Sequence, residues 1–276
     1  MKPACVEFSC DLFDFLDGYR SAGSMMQIHA TLDDVGNDKD GISAIVGYVA
    51  YSDDWKKFNW RWGICLEQLK RPFIHTAKYL REFWLSDHEI TDEDICVILA
   101  PFIETIKATL LAEGAIPLCI ITDHSAYDGL TEQEKKFIRP PEENSFEIAL
   151  ALSSRVLRNR FHISDHASIQ MDESHNAPNL YARYEAMKRE SEEFKAHLGA
   201  LCFCDDEKHA PVQAADMLGN IMLKSFRKFE AGKELPRAMR ELTGNGKLIL
   251  QRYTLDSLQS LANIRMNKGR MNIPKQ

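Results

Sequence analysis

Several short apolar runs that each end in carboxylates constrain this chain more than any other feature of its sequence. Residues 115–122, "AIPLCIIT", stop at Asp123; residues 167–171 stop at Asp172 and Glu173; residues 199–204, "GALCFC", run into Asp205 and Asp206. Such runs are of strand length, and strands this apolar need helices over them. Residues 25–32 and 42–51 flank the turn-forming stretch "DDVGNDKDG" and read as a hairpin, with Asp33 and Asp34 where its first strand ends.

Between the strands the spacing turns helical. Ser52, Asp53 and Asp54 offer a cap to a helix through about residue 69, with Trp55, Phe58, Trp62 and Leu66 on one face. Further helices are predicted over 77–85, over 91–113 (opened by Thr91 and stopped by Gly114), and over 145–158, 180–198, 211–230 and 255–264, with a short strand at 71–76. A hairpin followed by alternating helices and strands predicts an α/β fold, a mixed central sheet flanked by helices. With no repeat and no long linker, the expected organisation is a single domain over 25–276 with a C-terminal helix, preceded by an N-terminal extension, 1–24.

Composition excludes several classes. In 276 residues, 45% apolar side chains are ample for a continuous core. Seven cysteines, an odd number without a C-x-x-C pair, fit neither a disulfide framework nor a zinc ribbon, and point to a reducing, cytoplasmic setting. Glu7, Asp11, Asp14 and Asp17 in the opening stretch do not suit a signal peptide. No run reaches the roughly 18–20 apolar residues of a membrane span, so no membrane partner is expected. The net charge of -7 argues against broad electrostatic attachment to nucleic acid, although a local basic groove is compatible with it. Phosphate-binding, dinucleotide-binding and nucleophile-elbow motifs do not occur.

Open α/β sheets hold ligands at the carboxyl ends of their strands, where these acids fall. Unit charges about 4 Å apart interact by roughly 4 kcal/mol at an effective dielectric near 20, so converging carboxylates need a hard cation or a proton. Oxygen ligands favour Mg²⁺ or Mn²⁺. A further acid, Asp216, lies in "VQAADMLGNIM", residues 212–222, a helix too apolar to hold a carboxylate cheaply unless it is paired or solvated. Gln213 is on the same side of that helix, three residues earlier. For Asp123 alone, a turn or cap is a sufficient account.

The segment "HATLDDVGNDKDGISAIVGYVAYSDDWKKFNWRWGICLEQLKRPFIHTAKY" resembles the opening of domain-of-unknown-function family 3800 (DUF3800), in which an acidic D-[DE]-S-G turn follows the first strand. The later "CDDEKHAPVQAADMLGNIM" resembles that family's Q-x-A-D helix, and together the matches span about residues 27–222. The sequence departs from the pattern at Val35, where the family commonly has serine, and in "HTAKY", which lacks an acid that often follows the histidine. Gly36 of the turn is kept.

The resemblance implies a ribonuclease H-like fold and a metal-dependent nuclease or related phosphoryl-transfer enzyme, with DNA or RNA as partner. Position by position, Asp33 matches the leading acid of the first motif, Asp216 the acid of the late helix, and Asp172, in "IQMDES", the acid ending a later strand. These three are the expected catalytic and metal-holding residues, with two Mg²⁺ or Mn²⁺ ions. Asp34 and Glu173 are second choices beside them, and His75 is a candidate phosphate ligand or proton carrier as well as a candidate core histidine. Gln213 and Asp123 complete the wider set.

Other features have plainer readings. His162 and His166 have zinc-like spacing only if helical, and the approach to a strand argues against that. Cys119, Cys202 and Cys204 read as strand residues, and Trp55, Phe58 and Trp62 as core, with Trp60 off their stripe and open to solvent. Two functions compete with the nuclease: a non-catalytic scaffold with a degenerate site, and a phosphohydrolase of small nucleotides.

Overall fold

The computed structural model describes residues 28–36, 39–83, 90–160, 166–226, 235–244 and 248–271. Its centre is a six-stranded mixed sheet. The strands are β1 (Ile28–Val35), β2 (Ile42–Tyr51), β3 (Ile116–Asp123), β4 (Ala167–Asp172), β5 (Leu198–Cys204) and β6 (Ile249–Tyr253), in the order β5-β4-β1-β2-β3-β6. β2 runs against both its neighbours, while β1–β4, β4–β5 and β3–β6 are parallel pairs. The carboxyl ends of β1, β3, β4 and β5 therefore meet at one edge of the sheet. Gly36, just past β1, has φ +93°, and a Cβ there would lie 2.4 Å from the carbonyl oxygen of Ile42, so this close turn requires glycine.

The sheet is covered on both faces. Over one face lie α1 (Ser52–Gln68), α2 (Thr76–Glu82), α3 (Asp92–Ile98), α4 (Ala100–Ile106), a π-turn at Lys107–Leu111, and, after β5, the long helix Ala210–Phe226 and the short helix Arg237–Thr243. Trp55, Phe58 and Trp62 are fully buried there, as their helical spacing predicts, and Trp60 is 61% exposed. The other face carries Pro141–Arg160, Ala177–Glu190 and Glu192–His197, whose Phe146, Leu150, Leu180, Tyr184 and Met187 pack on Leu32, Ile45, Ile120 and Ile169. A small third cluster, Ala126, Leu130, Ile138, Leu258 and Ala262, seats the last helix, Leu255–Met271, against the short helices His124–Asp128 and Glu132–Lys135. With the two short ones numbered in place, the helices after α4 are α5 (His124–Asp128), α6 (Glu132–Lys135), α7 (Pro141–Arg160), α8 (Ala177–Glu190), α9 (Glu192–His197), α10 (Ala210–Phe226), α11 (Arg237–Thr243) and α12 (Leu255–Met271).

Three sequence expectations need correction. Residues 71–76 form no strand: Ile74 is buried, but its N–H is taken by the side chain of Gln213 rather than by a neighbouring strand. The helix expected over 91–113 breaks at Leu99, because Pro101 has no N–H to give the preceding turn, and it ends in the π-turn, where Ala112 N bonds Lys107 O at 2.9 Å. The helix expected over 180–198 is two helices, parted at Ser191, whose hydroxyl caps the second by accepting from Phe194 N. β6, α5, α6 and α11 were not foreseen at all. The extension 1–24, the first residues of the expected hairpin, and His162 lie outside the described residues.

Candidate functional site

β1 positions the first acids. Side chains alternate along a strand, so Asp33 shares the face of Val35, under α10, and Asp34 points to the face of Leu32, under α7. Leu32 pairs with Met171 in the parallel β1–β4 register, which makes Asp33 and Asp172 the next residues at the same level. α10 lies directly across β1 and β2 and brings Asp216 over this edge. It can approach so closely because Gly219 faces Val35 and Val46: a Cβ there would lie 2.4 Å from Val35 Cγ1. Val35 thus has a packing role, filling the seat of the helix.

Asp33, Asp172 and Asp216 act on one another electrostatically. Burial first, then the charges of Asp216, Asp34 and Asp172, push the Asp33 carboxyl well above its ordinary value of 3.8. Burial and the neighbouring Asp206 raise Asp172 to about 7, with smaller pushes from Asp34 and Asp216. Asp216, only 8% exposed, accepts from Thr76 N on one oxygen and Asn220 Nδ2 on the other, each at 2.8 Å. His75 Nδ1 stands 3.8 Å from Asp216 Oδ1 and makes no hydrogen bond among the described residues.

The remaining expected residues separate. Asp34 lies on the opposite face, raised to about 6 by burial and then by Glu142 at the start of α7. Glu173 is exposed beyond β4, its N–H held by Asp172 Oδ1 at 2.9 Å and by Cys204 O at 3.1 Å. Gln213 is fully buried and acts as a clamp: its Oε1 accepts from Trp62 Nε1 at 2.9 Å and from Ile74 N, and its Nε2 donates to Asp206 O at 2.7 Å. Asp123 stands two strands from Asp33 and pairs with Arg252, both of its oxygens within 3.1 Å of the guanidinium.

Two further acids matter here: Asp206 joins the cluster, and Glu142 stands beside Asp34 on the other face. Asp206 pushes on Asp172 and is itself raised by burial, with His75 pulling the other way and Asp216 adding to the rise. Its position after β5 was a usable signal, but nothing in the sequence says that the loop turns back over the sheet; the Gln213 clamp does that. Glu142, on a helix start beside Asp34, had no sequence signal beyond the ordinary preference for acids in a first turn.

As a donor set, these carboxylates suit a hard divalent cation. The charges that act most strongly on Asp33 are all negative, and oxygen ligands of this kind select Mg²⁺ or Mn²⁺. Among the described residues, no three His, Cys, Asp or Glu side chains are drawn tightly enough together to form a ready-made cage, so ion binding requires side-chain rotation. Asp172, at the end of β4, is the half-buried member of the three, whereas Asp33 and Asp216 are buried.

No family model, no curated protein and no solved structure matches this chain. Among the described residues, no helix is long and apolar enough to cross a membrane.

Proposed function

We propose that this chain is a divalent-metal-dependent nuclease of the ribonuclease H-like type, kin to family 3800, that hydrolyses phosphodiester bonds of DNA or RNA. The observation that carries this reading is the convergence of Asp33, Asp172 and Asp216, from two adjacent strands and a crossing helix, at one edge of the sheet, where Asp33 feels the charges of both others. The strand order β3-β2-β1-β4-β5 with β2 alone reversed supports the fold assignment. The net charge of -7 means that nucleic acid is held by local groups and by bound cations rather than by the overall field.

Two bound Mg²⁺ or Mn²⁺ ions would supply an activated water and charge neutralisation at the leaving oxygen. Asp33, which feels both Asp172 and Asp216, would hold the ions together with these two carboxylates. The bonds from Thr76 N and Asn220 Nδ2 fix the Asp216 carboxylate in orientation. His75, beside Asp216 and partly open to solvent, orients a phosphate or carries a proton.

Cleavage of oligonucleotides in Mn²⁺ tests the reading. Activity is expected in the intact chain and lost in Asp33→Asn with the fold retained; cleavage that persists in that variant overturns it. The competing reading, a scaffold with a degenerate site, is favoured by the lack of a ready-made three-donor cage among the described residues. A calorimetric titration without Mg²⁺ or Mn²⁺ binding decides for the scaffold.

A further inference from the structure

Cys202 and Cys204 play no part in the site described above. They stand two residues apart on β5, paired with Gln170 and Asp172 of β4, whereas Leu201 and Phe203 between and before them face the core under α8 and α9. Their sulfurs are 3.8 Å apart, the Cys204 thiol donating to Cys202. Cys204 is buried and Cys202 half-buried, on the edge strand of the sheet.

Two chemistries can join such a pair, and the distances choose between them. A disulfide prefers Cα atoms about 5.5–6 Å apart. Alternate residues of a strand are about 6.6 Å apart, near the upper limit of about 6.8 Å for a disulfide, and the sulfurs would have to close from 3.8 Å to about 2.05 Å. A tetrahedral ion with metal–sulfur bonds of about 2.3 Å places two sulfurs about 3.8 Å apart, the spacing already present.

We propose that Cys202 and Cys204 chelate a thiophilic divalent ion of the zinc or cadmium class through both sulfurs, with solvent completing the shell. As each metal–sulfur bond forms, the thiol proton passes to solvent, so occupancy releases two protons. Among the described residues no third His, Cys, Asp or Glu is grouped with the pair, which makes this an open, exchangeable site rather than a closed structural one. Asp172, opposite Cys204 in the register, acts on that thiol with its negative charge and attracts a dication to the same place. Donation from Cys204 also draws the Cys202 thiol below its ordinary range. The thiol pair and the carboxylate cluster share Asp172 as a neighbour, but sulfur and oxygen donors select different ions, so a cadmium–thiolate band reports on the pair and not on the nuclease reading.

Cadmium chloride titrated into the reduced full chain tests the proposal. The expected result is a thiolate-to-cadmium charge-transfer absorption in the ultraviolet that saturates near one equivalent, falls at least twofold in Cys202→Ala, and is unchanged in Cys96→Ala. An ion held only by carboxylates gives no such band. Because Cys202 is half-buried on an edge strand, the variant is expected to keep its far-ultraviolet circular dichroism, and Cys202→Ser provides a second variant of the same kind. No band in the reduced chain, or full amplitude in a folded Cys202 variant, overturns the proposal.

Discussion

Replacing Gly219 with alanine tests how α10 is seated over the acids. In an ordinary helix interior the change stabilises by about 0.8–1.0 kcal/mol, because alanine is the better helix former. Here the new methyl would lie 2.4 Å from Val35 Cγ1 and 2.9 Å from Val46 Cγ2. Ordinary carbon contacts are about 3.5–4.0 Å. Both valines are buried, β-branched and on neighbouring strands, so neither swings aside freely. Overpacking costs about 1–3 kcal/mol, and a shortfall of this size calls for the upper end, leaving a net loss of about 2 kcal/mol after the gain in helix propensity. At a urea slope of about 3 kcal/mol per molar, the unfolding midpoint drops by about 0.7 M. Val35→Ala in the Gly219→Ala background removes the nearer clash, so the pair should be less destabilised than the sum of the single variants by about 1 kcal/mol. A raised midpoint for Gly219→Ala, or additive effects in the double variant, would refute the close seating of α10 on β1 and β2.

Other perturbations bear on the cluster itself. Asp34 and Asp172, at about 6 and about 7 against an ordinary 3.8, keep protons in the folded chain that the unfolded chain releases. Stability without divalent ions is therefore greatest below the unfolded value and falls as pH rises through 6 and 7, with Asp34 contributing at most about 3 kcal/mol. Urea midpoints in the presence of a chelator should decline from pH 5 to pH 8 and recover at pH 8 on adding Mn²⁺; a flat profile speaks against the buried carboxylates. Gln213→Leu leaves Trp62 Nε1 and Ile74 N without their acceptor and frees the Asp206 loop, for a loss of about 2–4 kcal/mol on thermal or chemical denaturation. A loss under about 1 kcal/mol would mean that the clamp is dispensable. Asp123→Asn, which weakens the pair with Arg252, should leave Mn²⁺ affinity by calorimetry unchanged, while Asp33→Asn lowers it at least tenfold. Equal effects would place Asp123 in the ion site.

Much of the sheet could be read from the sequence because its central strands combine short apolar length with terminal acids. β3, a fully buried strand ending at Asp123, announced itself in that way. β6 did not: "ILQRY" lies at the sheet edge with Leu250, Gln251 and Arg252 exposed, so neither face carries the hydrophobic alternation that marks a strand. Residues 71–76 misled for the opposite reason, since the apolar Phe73 and Ile74 are anchored by a distant glutamine instead of by strand pairing. The carboxylate cluster was legible in its residue types and only partly in its membership. Asp33, Asp172 and Asp216 could be picked out one at a time, but which strand ends are neighbours is decided by sheet order. That order puts β4 beside β1 and leaves Asp123 across β2, where Arg252 neutralises it. Asp34, adjacent to Asp33 in sequence, is separated from it by the pleat.

Anomalous scattering from a crystal soaked in Mn²⁺ tests the central claim most directly. The account predicts two peaks about 3.5–4 Å apart, bounded by Asp33, Asp172 and Asp216. Manganese bound elsewhere, with these three carboxylates left unliganded, contradicts it.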